Sequence, residues 1–212
     1  MSKSDLEAIA EVLKDTNILV LSDEIYGELR YSDEPHTTFS AVDGMRERTV
    51  VVNGFSKAFA MTGWRLGYAL GPERLIKLMT KVHQFGIMSS PTTSQFAAIE
   101  ALKSCDNEIE EMRREYNYRR RCIVDGFREM GLSCFEPYGA FYVFPCIKQF
   151  GMTSEEFAMR FLEEEKVAVV PGTAFGDCGE GFLRISYAYS LEDLKIAIGR
   201  LGKFIRKLKA QQ

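Results

Sequence analysis

Two short stretches carry side chains suited to chemistry. In "SDEIY" (22–26) a carboxylate, Asp23, and a phenol, Tyr26, arrive where a short apolar run ends. In "NGFSKAFAMTGWRLGY" (53–68) a lone lysine, Lys57, follows a second apolar run, and Arg65 stands eight positions after it. Singly, each has an ordinary structural role: a solvated strand end for Asp23, half-buried packing for Tyr26, a surface lysine, an ion-paired arginine. Their joint order asks for a shared cause. In α/β sheets ligands gather at the carboxyl ends of strands. If the two runs are neighbouring strands, Asp23, Tyr26 and Lys57 project into one crevice, with Arg65 close by.

That set suits pyridoxal phosphate. The cofactor needs an amine to condense with its aldehyde, and Lys57 supplies one. It needs an anion beside the pyridine nitrogen, and Asp23 would keep that nitrogen protonated. The ring then accepts the electron pair left when a substrate Cα–H bond breaks. Tyr26 would hydrogen-bond the ring oxygen, and the planar fork of Arg65 suits a phosphate dianion.

Such side chains need a frame. Ser4 and Glu7 have capping-box spacing, and Leu6, Ile9, Ala10 and Leu13 form one apolar stripe, which predicts a helix over 4–16. "NILVLS" (17–22) reads as a parallel strand buried on both faces, "RTVVVN" (48–53) repeats the pattern, and "LGYALG" (66–71) is a third candidate. Strands alternating with helices predict an α/β layer. Helices are expected from Pro72 to about Val82, after Pro91, and from roughly Asn107 to Met130, where Gly131 stops the run. The texture then changes. "CFEPYGAFYVFP" (134–145) reads as a hairpin with a glycine turn, and Thr153 with Glu156 caps a helix over 154–165. Short strands at 167–170 and 182–187 precede a last helix, 191–208, capped by Ser190. A boundary near 131 separates the α/β layer (1–131) from a smaller α+β unit (132–212). The glycine-rich "GDCGEG" (176–181) lacks the strand-to-helix setting of a dinucleotide loop and reads as a flexible loop. Three strands before residue 72 are few for a doubly covered sheet, so the N-terminal end reads as cut rather than finished.

Composition narrows the partners. A net charge of −3 without a long basic run argues against nucleic acid or an anionic membrane as partner. No apolar segment is long enough for a membrane span. Five cysteines without a CxxC pair fit free thiols in a reducing, cytoplasmic setting. His36 and His83 lie far apart in sequence, so no histidine-based metal site is expected.

The elements "SDEIY", "SKAFAMTGWRLGY", "GAFYVF", "VPGTAFG" and "FLRISYA" occur in an order that resembles the C-terminal half of fold-type I pyridoxal-phosphate aminotransferases, class I/II, in the aspartate and aromatic aminotransferase branch. The resemblance implies a part of the cofactor-binding large domain over 1–131, with its mostly parallel sheet, and a small α+β domain over 132–212. It implies transfer of an amino group from an amino acid to a 2-oxo acid. Lys57 would hold the cofactor, Asp23 pair with the pyridine nitrogen, Tyr26 with the ring oxygen, and Arg65 with the phosphate. Ser56 would add a phosphate contact, and Arg184 of "FLRIS" would clamp the substrate α-carboxylate. Relatives of this kind are homodimers that share residues across the interface. One departure is Gly54, which stands where many relatives carry a hydroxyl residue. The family's phosphate loop, its ring-stacking aromatic residue and its asparagine at the ring oxygen would lie upstream of residue 1. Two alternatives stay open: a β-eliminating C–S lyase of the same fold, and a non-catalytic piece that folds or dimerises without cofactor.

Overall fold

A computed structural model describes residues 1–211. Two compact units share the chain, Met1–Arg113 and Arg114–Gln212. Their division falls inside one long helix, α5 (Asp106–Met130), whose C-terminal end is the boundary expected from sequence.

The first unit opens with α1 (Lys3–Leu13). Its capping box is formed by Ser2 and Asp5, not by Ser4 and Glu7. Both pairs have a hydroxyl three residues before a carboxylate, and the earlier one takes the role because the helix starts a residue sooner. Ala10 packs with Phe39, Val42 and Met45, flanked by Leu6, Leu13 and Val20. Arg48 donates to the carbonyls of Leu13 and Thr16 at the helix end, tying it to the strand that follows Arg48. The sheet orders β1 (Val20–Asp23), β2 (Thr49–Gly54) and β3 (Gly67–Leu70) side by side. β1 and β2 run parallel, while β3 returns antiparallel to β2. Among the described residues β1 pairs on one side only, and its Leu21 is 70% exposed. The expectation of a strand buried on both faces is therefore not met within this chain. Two helices follow, α3 (Glu73–Ile87) and α4 (Thr92–Ser104); α3 runs a turn past its expected end. Along α3, Leu78, Val82 and Phe85 form an exposed apolar stripe at helical spacing.

The second unit contains the C-terminal part of α5, then β4 (Tyr142–Val143), α6 (Ser154–Glu165), β5 (Val170–Pro171), β6 (Leu183–Ser186) and α7 (Leu191–Gln211). The predicted hairpin over 134–145 is reduced to a single bridge, Cys134 to Pro145. β4 pairs instead with β6, and β6 is the central strand between β4 and β5. A residue other than glycine makes the turn: Ala140 takes a positive φ of 57°, and its carbonyl accepts from the hydroxyl of fully buried Tyr187. Phe157, Phe161 and Phe204 form the aromatic core between α6 and α7. Thr153 and Glu156 cap α6 as predicted. No helix among the described residues is long and apolar enough to cross a membrane.

The glycine-rich loop is locked rather than loose. A Cβ on Gly172 would overlap the Gly179 carbonyl oxygen, and one on Gly179 would overlap the oxygen of Gly172. The two backbones touch, so glycine is required for close approach. Gly172→Ala is expected to destabilise by about 3 kcal/mol, the upper end of overpacking penalties. Gly199→Ala is the contrast, since nothing lies within 4 Å of its added methyl on α7. Removing a helix-interior glycine there should stabilise by about 0.5–1 kcal/mol. Denaturant midpoints of the two variants, moving in opposite directions, check both.

Candidate active site

Register sets the first three groups. Asp23 pairs with Val52 across parallel β1 and β2, so the carboxylate stands where both strands end. Its Oδ1 accepts the Ile25 amide at 3.1 Å, a turn that fixes the carboxylate at the strand end. Side chains alternate along an extended chain, and the next carboxylate takes the opposite course. Glu24 is 8% exposed and receives Thr38 Oγ1 at 2.8 Å, the Phe39 amide at 3.0 Å and Ser22 Oγ at 3.1 Å, with His36 Nε2 at 2.8 Å. Burial pushes its carboxyl up, but these hydrogen bonds outweigh burial and hold it below the usual value. Two turn bonds then carry the chain through Tyr26: Gly27 N–H to the Glu24 carbonyl at 2.8 Å, and Leu29 N–H to the Tyr26 carbonyl at 3.0 Å. Leu29 is fully buried, which pins the turn to the core.

Beyond β2 the chain makes one helical turn, α2 (Phe55–Ala58). Phe55 and Ala58 are buried, and Phe55 packs with Met61, Ala98 and Ala101. Ser56 and Lys57, between them, stay half-buried. Lys57 Nζ lies over the Tyr26 ring, 5.9 Å from its centroid. The strand-end geometry thus brings the amine over the face of the tyrosine ring. Gly54 also gains a reason. It opposes Gly67 across β2 and β3, and a Cβ on it would meet Gly67 Cα and the Leu66 oxygen, each at 3.1 Å. A hydroxyl side chain at 54 would force those backbones apart.

Arg65 adopts the left-handed conformation, φ 51° and ψ 48°. Such a backbone costs about 1–3 kcal/mol outside glycine and persists only where its surroundings enforce it. Here Arg65 Nη1 donates to the Thr62 carbonyl at 2.8 Å. Buried Ser94, on α4, donates to the Trp64 carbonyl at 2.7 Å and anchors the turn from the other side. Sequence reasoning misses Ser94, because nothing local distinguishes it from any other helical serine. Arg65 is exposed and stands just before Gly67, the partner of Gly54, so its turn reaches the same sheet end.

In the second unit Arg184 sits on β6, half-buried. Its guanidinium carbon lies 4.6 Å from the Tyr142 ring centroid and 4.1 Å from that of Phe175. Both aromatic residues fall within "GAFYVF" and "VPGTAFG", yet neither motif assigns them a role from sequence alone.

One end of the first unit's sheet therefore gathers a carboxylate, a phenol, an amine, a hydroxyl and a guanidinium. This donor set fits pyridoxal phosphate: an anion for the pyridine nitrogen, an amine for the aldehyde, cationic and hydroxyl donors for the phosphate.

The family described as aminotransferase class I and II matches residues 1–201. The chain is 46% identical to an aspartate aminotransferase of Pyrococcus abyssi over 99% of its own length and 54% of that protein's. To aromatic-amino-acid aminotransferase 2 of Thermococcus litoralis it is 43% identical, again over 99% of this chain and 54% of the other. The crystal structure of an aromatic aminotransferase from Pyrococcus horikoshii superposes with a TM-score of 0.96 at 44% identity, covering 99% of this chain and 57% of that one. The chain spans about half the length of the curated relatives it matches. With a family model over nearly the whole chain and the fold of solved relatives in agreement, the chain belongs to the class I and II aminotransferases.

Proposed function

We propose that the protein transfers the amino group of an amino acid to a 2-oxo acid, using pyridoxal phosphate held by Lys57. The observation that carries this is the Lys57 ammonium over the Tyr26 ring, at the strand end where Asp23 stands. Bound there, the cofactor supplies an aldehyde that condenses with amines and a ring that accepts electrons. Asp23 would keep a proton on the pyridine nitrogen, Tyr26 would donate to the ring oxygen, and Arg65 with Ser56 would hold the phosphate. Lys57, as a free amine, would take the substrate Cα proton as a base and return it as an acid. Arg184 is assigned the substrate α-carboxylate, because a planar fork fixes a carboxylate by two parallel hydrogen bonds.

The exposed stripe of Leu78, Val82 and Phe85 on α3 supports self-association, read as a homodimer. Free Cys105, Cys122, Cys134, Cys146 and Cys178 support a cytoplasmic setting. Borohydride reduction in the presence of pyridoxal phosphate, followed by peptide mass mapping, tests the core of the reading. A pyridoxyl adduct on Lys57 is expected. An adduct on other lysines only, or none at saturating cofactor, overturns it.

A further inference from the structure

The loop between β5 and β6 joins three observations that the assigned roles leave unused. First, Arg184 is flanked by ring faces, Phe175 at 4.1 Å and Tyr142 at 4.6 Å, and donates no side-chain hydrogen bond among the described residues. Tyr142 pairs with Ser186, which puts it diagonally across from Arg184 on one face of the sheet. Phe175 comes from the turn Gly172–Phe175 that follows β5. Aromatic faces attract a guanidinium without occupying its N–H donors. Its position is restrained while its fork stays open to an anion.

Second, the loop bearing Phe175 closes on itself. Gly172 N–H donates to the Phe182 carbonyl at 2.8 Å, and Gly172 and Gly179 are in backbone contact. Third, its far end is bolted to α6. Glu180 Oε1 accepts the Ser154 amide at 2.8 Å, Ser154 Oγ at 3.1 Å and the Gly181 amide at 2.8 Å. Ser154 Oγ accepts the Gly181 amide as well, at 2.8 Å, and Ser154 is fully buried. A surface loop with this many internal ties is built to hold something still. Phe175, at its tip, is what it holds.

We propose that residues 172–181 form a strap that positions the carboxylate-binding arginine: Phe175, together with Tyr142, orients the Arg184 guanidinium, and Glu180 fixes the strap to α6. The inference rests on the assignment of Arg184 to the substrate carboxylate. Phe175 and Glu180 are positioning residues that act through Arg184.

The test uses the full-length protein loaded with pyridoxal phosphate and propionate as a carboxylate probe, read by titration calorimetry, alongside KM and kcat. For Phe175→Ala the propionate Kd and the amino-acid KM should both rise about tenfold, the loss of one well-placed cation–π contact. Cofactor absorbance should be unchanged and kcat should stay within about twofold, since a group acting only on carboxylate capture alters binding more than chemistry. Phe175→Tyr, which restores the ring face, should recover most of the affinity. Glu180→Gln should raise the propionate Kd in the same sense but less. Should Phe175→Ala not fold, Phe175→Leu keeps the bulk without the ring and carries the same expectation. Unchanged propionate affinity in Phe175→Ala or Phe175→Leu, while Arg184→Ala loses it, overturns the strap alone. Unchanged affinity in Arg184→Ala overturns the carboxylate assignment and the strap with it.

Discussion

Lys57→Ala in the full-length protein is expected to lower the transamination rate by about 10⁴-fold, the upper range for a missing proton-transfer group. Its covalent role is lost in the same step. Misfolding or an altered electrostatic field would also slow the reaction, and each can be told apart from loss of the amine. Lys57 is half-buried, and its contact with the Tyr26 ring, at 5.9 Å, is worth about 1 kcal/mol or less. Thermal melting of the variant beside the parent reads misfolding directly, and a melting point close to the parent's disposes of it. The field changes because a cation beside the Tyr26 ring is removed. Lys57→Arg addresses this, because it keeps a cation within reach of Tyr26 but cannot condense with an aldehyde or exchange protons near neutral pH. An equally inactive Lys57→Arg assigns the loss to the amine itself. A rate within about tenfold of the parent in either variant would place the catalytic base elsewhere. Product analysis of the parent separates the reaction types. Ammonia and pyruvate from a β-substituted amino acid would point to elimination, whereas a 2-oxo acid matched by a newly aminated acceptor supports transfer.

The strand-end site was legible because its signals are local. "NILVLS" and "RTVVVN" each end just before the candidate residues, and parallel pairing of β1 with β2 brings the stretches that carry Asp23, Tyr26 and Lys57 to one end of the sheet. What stayed hidden depends on contacts remote in sequence. Nothing inside "LGYALG" records that β3 runs antiparallel, because direction is set by the connection and not by side-chain pattern. The hairpin over 134–145 misled for a related reason. Alternating aromatic residues announce a strand but not its partner, and Tyr142 and Val143 find theirs on β6. The glycines of 176–181 read as looseness, although Gly179 serves close backbone approach to Gly172. Even the departure at Gly54 became intelligible only once Gly67 was seen opposite it. The unbroken apolar character of β1 asks for cover on both faces, and Leu21 stays exposed with the residues described.

Glu24→Ala is expected to destabilise the first unit by about 3 kcal/mol, because it strips a buried carboxylate from several donors and leaves the Phe39 amide unpaired in the core. The effect has a pH signature. Glu24 titrates below its ordinary value in the folded chain, so the unfolded chain binds a proton at higher pH than the folded one. The stabilisation it gives is thus fully present above the ordinary carboxylate range, about pH 4.5, and is lost as pH falls through the depressed folded value. Chemical denaturation from pH 7 to pH 3 should show the parent losing stability more steeply than Glu24→Ala below that range, by at most about 1.4 kcal/mol per pH unit. The gap between the two proteins should be widest near neutrality and narrow with acid. A gap that stays constant across the range would mean that the carboxylate's charge is not what holds the 36–39 segment. The consequence reaches the site because Glu24 directly follows Asp23 and its carbonyl accepts the Gly27 amide in the turn that carries Tyr26, so freeing it loosens both neighbours. Pyridoxal-phosphate affinity of the variant, measured at pH 7.5 where the fold is intact, should fall about tenfold, equivalent to about 1.4 kcal/mol of lost preorganisation. Glu24→Gln keeps the shape and one acceptor oxygen but turns an N–H toward groups that already donate, and its loss should lie between those of the parent and the alanine variant.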